Sequence, residues 1–128
     1  MSVAERPADG LFTRYADAAP YRTRDGSLIR ELMHPARHAS QRQSLAEAEV
    51  APGQVSALHR HRRSEEVYHV TRGQGEMTLG GAVFPVGAGD TVCIPAGVPH
   101  RIRNIGAQPL RILCCCSPPY AHEDTELL

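Results

Sequence analysis

The chain contains no lysine and no tryptophan, and all 14 of its basic residues are arginine. Without lysine it cannot form a Schiff base with a carbonyl substrate or with pyridoxal phosphate, nor can it supply the lysine of a phosphate-binding P-loop. The 4 tyrosines and 2 phenylalanines are too few to build a wide platform on which nucleic-acid bases stack. Any chemistry must therefore come from other side chains.

An excess of charge of one sign is also lacking, since 14 acidic residues balance the 14 basic ones. Proteins that bind nucleic acids or anionic membrane surfaces in general carry a basic excess. No run approaches the roughly 18 apolar residues of a membrane helix. The N-terminal residues lack the apolar core of a secretory signal. We therefore expect a cytoplasmic protein with neither nucleic-acid nor membrane partners.

The 4 cysteines are Cys93 and the consecutive residues Cys114, Cys115 and Cys116. Adjacent residues of a strand point to opposite faces, so the run is a poor disulfide framework and a poor set of zinc ligands. We predict reduced, small buried thiols.

Glycine and proline pairs recur at short intervals after residue 50 and indicate turns. Between and before them lie short segments of strand character. The predicted strands are 28–33, 43–50, 55–59, 66–71, 76–79, 82–86, 91–94, 100–104 and 110–116. Strands of this length and spacing are typical of an all-β sandwich or barrel. One turn of helix is predicted at 16–19.

Two histidines, His59 and His61, are separated by one residue at the end of the predicted strand 55–59. The side-chain period of a strand is two, so both imidazoles point to the same face, as two ligands of one metal ion must. A hairpin return places Glu66 opposite them, and His100 opens another strand after a tight turn. Three histidines and one carboxylate would form a mixed nitrogen and oxygen site with two positions left open on an octahedral ion.

The spacing around these four residues resembles the two sequence motifs of the cupin superfamily. The fixed positions of both motifs are matched by Gly53, His59, His61, Glu66 and Gly73, and then by Gly89, Pro95, Gly97, His100 and Asn104. The short linker between the motifs is typical of small single-domain microbial cupins. The resemblance implies an all-β fold, the double-stranded β-barrel or jelly roll, with a metal at its centre.

The ligand positions implied by the resemblance are His59, His61, Glu66 and His100, and the expected cofactor is one divalent transition metal: Fe, Mn, Ni or Zn. Two kinds of enzyme fit such a site, a dioxygenase that cleaves a small molecule oxidatively and a Lewis-acid isomerase, cyclase or lyase. A cupin that binds a metal or metabolite without catalysis, as a sensor or structural partner, is the alternative. We expect a small-molecule metalloenzyme of bacterial type.

Strand alternation predicts which neighbours of these ligands point into the barrel and which point away from it. If Glu66 points into the barrel, Tyr68 does too, and it is the candidate catalytic residue, although a core tyrosine with a satisfied hydroxyl is favoured. Met77 and Leu79 are expected to line the barrel, whereas Glu65 and His69 face away. Besides Tyr68, Glu47 and Glu49 are candidates for a general base by position alone.

Several other polar residues have no ligand spacing or lie in predicted turns. His34, His38 and His122 fall near loops. Arg62 or Arg63 could reach a substrate carboxylate at the barrel mouth, but a solvated turn is the favoured interpretation. Asn104 is expected to cap a turn rather than to contact a ligand.

The chain is divided into an N-terminal extension at 1–27, a barrel domain at 28–117 and a C-terminal tail at 118–128. Residues 1–9 and 123–128 are expected to be loosely held. A barrel of this size leaves sheet edges and an apolar outer face, so we expect a homodimer, with exchange of the N-terminal segment as one route to it.

Overall fold

The computed structural model describes residues 7–128, and strands that form two antiparallel sheets make up most of it. Two single-turn 3-10 helices lie at Tyr15–Asp17 and His122–Asp124, the first in place of the helical turn predicted at 16–19. The strands, in chain order, are β1 (Tyr21–Arg22), β2 (Leu28–Met33), β3 (Ser44–Val50), β4 (His59–His61), β5 (Glu65–Arg72), β6 (Gln74–Leu79), β7 (Ala82–Gly87), β8 (Thr91–Ile94), β9 (His100–Asn104), β10 (Leu110–Ser117) and β11 (Thr125–Leu127).

One sheet has the order β1-β2-β3-β10-β5-β8 and the other the order β11-β4-β9-β6-β7. The chain crosses between the sheets repeatedly, so strands that are distant in sequence become neighbours. This is the predicted jelly roll, although the two sheets do not close into a continuous barrel. The crossing of β4 and β9 into the second sheet brings both histidine-bearing segments side by side.

Alternating side chains of the two sheets form the core. On β10 the buried positions are Leu110, Ile112, Cys114 and Cys116, while the residues between them are partly exposed. Met77 on β6, facing them from the second sheet, is fully buried as predicted. Each fully buried aliphatic side chain contributes about 1.5–3 kcal/mol of transfer free energy. This core fixes the β-strands that carry the site.

Most predicted strands are confirmed to within a few residues, but the strand predicted at 55–59 is wrong. Val55 forms only an isolated bridge with Arg103, and β4 begins at His59. Single hydrogen bonds fix the intervening backbone instead: the amide of Ala57 donates to the carbonyl of Asp25 at 2.8 Å. The residues before His59 are extended, but they form no continuous ladder of hydrogen bonds with a neighbouring strand.

The C-terminal residues are not loosely held, contrary to the expectation for 123–128. Thr125–Leu127 forms β11, which pairs with β4 so that Thr125 lies opposite His61 and Leu127 opposite His59. Asp124 and Thr125 are buried. Residues 1–6 of the predicted N-terminal tail lie outside the described residues, and the domain boundaries at 28 and 117 stay a prediction.

Two of the motif residues have clear structural roles. Gly73 has a φ of +89°, and a Cβ there would lie 2.9 Å from a backbone carbonyl oxygen. Asn104 caps a turn, as predicted: its amide group donates to the carbonyls of Val50 and Gln108, and its Oδ1 accepts from the amide of Gly106. Within residues 7–128, no helix is long and apolar enough to span a membrane.

Candidate metal centre

The three predicted histidines come together on adjacent strands of the second sheet. His59 and His61 occupy the inward positions of β4, and His100 begins β9 directly opposite His59. All three are buried, with 0% to 4% of their surface exposed. One ring nitrogen of each lies within 4.8 Å of one ring nitrogen of the others, close enough for a shared metal ion.

The second ring nitrogen of each histidine is already engaged. Nδ1 of His59 donates to the carbonyl of Ala57 at 2.7 Å, and Nδ1 of His100 donates to the carbonyl of Val98 at 3.0 Å. Nδ1 of His61 lies 3.1 Å from Oγ1 of Thr125, which in turn donates to the carbonyl of Ala121. Because a neutral imidazole has one N–H, these bonds leave the lone pair of each Nε2 free for a ligand.

Glu66, at an inward position of β5, faces the same nitrogens. Its Oε1 lies 3.1 Å from Nε2 of His61 and 3.5 Å from Nε2 of His100. Nε2 of His100 is buried and has no hydrogen-bond partner. Nε2 of His61 and Oε1 of Glu66 are at hydrogen-bond distance, and among residues 7–128 the ligand atoms that all lie within 4.8 Å of one another are those of the three histidines. A cation bound by the histidines and by Glu66 would replace this hydrogen bond and satisfy the unpaired Nε2 of His100. The donor set thus fits a divalent transition metal.

The ionisation states also suit metal ligands. Burial raises the pKa of the Glu66 carboxyl, but the imidazoles of His100 and His61 outweigh it and hold this pKa at about 2. Burial, followed by the neighbouring His100, lowers the pKa of His59. A carboxylate and a neutral imidazole are the forms that bind metals.

A cavity opens from the histidines toward the six-stranded sheet. Its wall combines the site residues with small and hydroxyl-bearing side chains from β1, β2, β3 and β10 and from the C-terminal segment. The lining residues are Tyr21, Thr23, Asp25, Ser27, Ile29, Glu31, Ser44, Ala46, Ala48, His59, His61, Glu66, Tyr68, Cys114, Cys116, Tyr120 and Thr125. Within the part of the chain that the structure describes, no arginine lines this cavity.

Tyr68 lines this cavity, as alternation predicted, and its ring packs edge-on against His100 at 5.9 Å. Tyr68 is buried within the core, as the favoured interpretation expects, but the hydrogen bonds among residues 7–128 include none from its hydroxyl. Burial raises its pKa well above the ordinary value, which keeps the phenol protonated and able to donate. Glu65 and His69 face away, as expected.

The cysteine run places two thiols in the cavity wall. Cys114 and Cys116 are buried, as predicted, whereas Cys115 is partly exposed on the other face of the strand. Sγ of Cys116 donates to Oε2 of Glu66 at 3.3 Å. Burial raises the pKa of Cys116 above its ordinary value, so this group is a thiol that orients the carboxylate. The sequence motif identified Glu66 but gave no sign of this partner on a distant strand.

Several candidates lie away from the cavity. Glu47 and Glu49 point to the opposite face of β3, where they pair with Arg30 and Arg111. Arg62 is exposed and binds Glu126. These residues therefore do not contact the histidine cluster.

The remaining charged candidates are tied to the C-terminal segment or to loops. Arg63 pairs with Asp124 at the surface. Nε2 of His34 lies 2.7 Å from the carbonyl of Tyr120, and Nδ1 of His122 lies 3.1 Å from the hydroxyl of the same tyrosine. Nδ1 of His38 accepts from the amide of His34. None of them belongs to the histidine cluster.

Three cavity residues that the sequence did not single out are Asp25, Tyr120 and Thr125. The sequence indicates only a turn at Asp25, which precedes a glycine. Tyr120 and Thr125 lie in the segment 118–128 that the sequence predicts to be a C-terminal tail. Long-range contacts bring them to the site: the ring of Tyr120 packs edge-on against His61 at 5.8 Å. No local sequence pattern would have identified them.

Comparisons with known proteins agree with this architecture. The chain is 53% identical over 116 residues, 91% of its length and 93% of the relative's, to the uncharacterized protein MJ1618 of Methanocaldococcus jannaschii. It is 34% identical to the polyketide synthase CurC of Streptomyces cyaneus, over 84% of this chain and 72% of that protein.

Among solved structures, oxalate decarboxylase of Lactobacillus farciminis superposes with a TM-score of 0.76 at 26% identity, over 88% of this chain. This chain spans about a third (34%) of that protein. The family model described as the cupin domain matches residues 46–116, which is more than half of the chain. The chain therefore belongs to the cupin family.

Proposed function

We propose that this cupin is a metal-dependent enzyme that acts on a small organic molecule. His59, His61, His100 and Glu66 hold one divalent transition metal. The observation that carries the proposal is the cluster of three buried histidines with the Glu66 carboxylate 3.1 Å from Nε2 of His61, at a cavity. A metal bound there supplies Lewis acidity or, if it is iron, activation of dioxygen.

The charges of the cavity favour a substrate without strong negative charge. Among residues 7–128, three carboxylates line the wall, those of Asp25, Glu31 and Glu66, and no arginine does. A divalent cation offsets two of these negative charges, so a dianion such as oxalate would meet no compensating group. We therefore place the substrate among neutral or weakly acidic compounds that carry hydroxyl or carbonyl oxygens.

The side chains of the cavity can orient such a compound. Ala46, Ala48 and Ile29 form an apolar wall opposite the histidines, against which a flat carbon skeleton would pack. The hydroxyl of Tyr68 can donate a hydrogen bond to a substrate oxygen, because its raised pKa keeps it protonated. We assign to Tyr68 the positioning of the substrate oxygen. The name of the Streptomyces cyaneus relative, a polyketide synthase, agrees with an oxygen-rich carbon skeleton.

The test compares substrate classes on the metal-reconstituted chain. Protein loaded with Fe, Mn, Ni or Zn is incubated with neutral enols, phenols and hydroxyketones and, separately, with oxalate; products and dioxygen uptake are measured. We expect turnover of a compound of the first class and none of oxalate, with turnover reduced about 100-fold in Tyr68→Phe.

The control variant is His69→Ala, because His69 lies on the same strand but hydrogen-bonds Thr91 outside the cavity; its turnover should equal that of the unaltered chain. Turnover of oxalate would contradict the proposed substrate class. Saturable binding of a neutral compound with no turnover on any metal would contradict catalysis and establish the alternative, a cupin that binds a metabolite.

A further inference from the structure

A second carboxylate faces the histidine cluster from outside the motif region. Asp25 lies in the turn between β1 and β2, whose residues Thr23, Asp25 and Ser27 all line the cavity. The carbonyl of Asp25 accepts from the amide of Ala57, and the carbonyl of Ala57 accepts from Nδ1 of His59. This chain of hydrogen bonds ties the position of the turn to the position of His59.

The two oxygens of the Asp25 carboxylate have different surroundings. Oδ1 accepts three hydrogen bonds: from the hydroxyl of Thr23 at 2.6 Å, from the hydroxyl of Ser27 at 2.6 Å and from the amide of Ser27 at 2.9 Å. Oδ2 has no hydrogen bond among residues 7–128 and lies 3.7 Å from Nε2 of His59. One oxygen is therefore anchored, and the other is directed at the free nitrogen lone pair.

We propose that Asp25 is a fifth protein ligand of the metal, bound through Oδ2 beside His59. This inference rests on the proposed function, because it takes the three histidines and Glu66 as the primary site. Glu66 contacts His61 and His100, whereas Asp25 contacts His59. The two carboxylates thus approach different edges of the same cluster.

The distance from Oδ2 of Asp25 to Nε2 of His59 is near the spacing of neighbouring ligands on one ion. With metal–ligand bonds of about 2.1 Å, neighbouring ligand atoms of an octahedral ion lie about 3 Å apart. Oε1 of Glu66 is 3.5 Å from Nε2 of His100, and Oδ2 of Asp25 is only slightly farther from Nε2 of His59, at 3.7 Å. A carboxylate that bound the ion through an intervening water would lie farther from the ion by about one hydrogen-bond length, about 2.8 Å.

A fifth protein ligand would change what the site can bind. Two carboxylates neutralise the charge of a divalent ion, which agrees with a substrate that is not an anion. One coordination position remains on a six-coordinate ion, so a single substrate oxygen or one water can bind. Such a set suits ions that accept octahedral geometry better than it suits tetrahedral zinc.

The experiment measures the affinity of the metal-free chain for Mn(II) and Co(II) by calorimetric titration. The variant Asp25→Asn keeps an oxygen that can accept the bonds from Thr23 and Ser27 but replaces Oδ2 with an amide nitrogen. The matched control is Glu31→Gln, since Glu31 lines the same cavity and hydrogen-bonds Tyr21 rather than a histidine. The control removes the same charge from the cavity without touching the histidines.

We expect the Kd of D25N to rise about 100-fold and that of E31Q to change by less than about threefold. A rise below about tenfold in D25N, or an equal rise in both variants, would overturn the ligand role and leave the primary site intact. If the unaltered chain bound neither ion, the proposed function would fail and this inference would fail with it.

A crystal structure of the unaltered chain loaded with Mn(II) gives a test that needs no variant. Direct binding predicts a distance of about 2.2 Å between the ion and Oδ2 of Asp25. A distance beyond about 3 Å, with the ion bound to the three histidines and Glu66, would overturn the inference alone.

Discussion

Asp124 fixes the loop between His61 and Glu66, two of the proposed metal ligands, and its removal should destabilise the chain. Its Oδ1 accepts from the amide of Arg63 at 2.9 Å, and its Oδ2 accepts from the amide of Ser64 at 3.0 Å. Both amides lie in the turn that joins His61 to Glu66. The buried side-chain carboxylate of Asp124 thus holds the geometry of the site from outside the cavity.

The size of the effect follows from the two lost bonds. A hydrogen bond to a charged group contributes about 1.5–3 kcal/mol, and truncation leaves the buried amide of Ser64 unpaired. The hydrogen bond from the amide of Arg63 is only partly buried, so water can replace the lost carboxylate there. Asp124→Ala should therefore lose about 3 kcal/mol of unfolding free energy, or about 10 °C in Tm.

The assay is urea unfolding of the metal-free chain at neutral pH, with Glu123→Ala as the control. Glu123 is the exposed neighbour in the same 3-10 helix, so its variant should unfold within about 0.5 kcal/mol of the unaltered chain. A loss below about 1 kcal/mol in D124A would refute the reasoning.

The same contacts predict a pH dependence. Burial raises the pKa of Asp124, but the amides of Ser64 and Arg63 outweigh it and lower the pKa below the ordinary 3.8. Because the folded value lies below the unfolded one, the contribution is complete above about pH 4 and is lost as the pH falls through the folded pKa. The stability difference between the unaltered chain and Asp124→Asn should therefore shrink in acid; a constant difference would contradict the assignment.

Two further changes test the backbone and the thiols. Gly73→Ala and Gly26→Ala both place alanine at a φ of +89°, but only at Gly73 does the new Cβ meet a carbonyl oxygen, at 2.9 Å. By urea unfolding, Gly26→Ala should lose about 1 kcal/mol and Gly73→Ala at least about twice that; equal losses would contradict the close approach. A thiol reagent should modify exposed Cys93 rapidly and buried Cys114 and Cys116 only on unfolding. If the folded Cys93→Ser variant still reacted rapidly and the modified residue were Cys116, the burial of these thiols would be contradicted.

The sequence predicted those parts of the fold and site that depend on local patterns. Alternation on β5 correctly placed Glu66 and Tyr68 inward and His69 outward. The two motifs identified the three histidines, because a His-x-His pair on a strand and a histidine after a tight turn have fixed spacings. Turn glycines such as Gly73 were also recognisable, since a positive φ favours that residue.

The sequence could not predict contacts made by residues far apart in the chain. Asp25 appeared as an ordinary turn residue, and only the pairing of β1 with β2 and the hydrogen bond to Ala57 bring it to His59. Thr125 appeared to belong to a tail, yet β11 places it against His61. Short strands of two or three residues carry too little periodicity to be recognised. The homodimer stays a prediction.

The most direct test of the central claim is elemental analysis of the chain purified without chelator, compared among the unaltered protein and three histidine variants. We predict about one equivalent of transition metal in the unaltered chain and in His69→Ala, and loss of that metal in His61→Ala and His100→Ala. Metal content that is unchanged in both His61→Ala and His100→Ala would contradict the site.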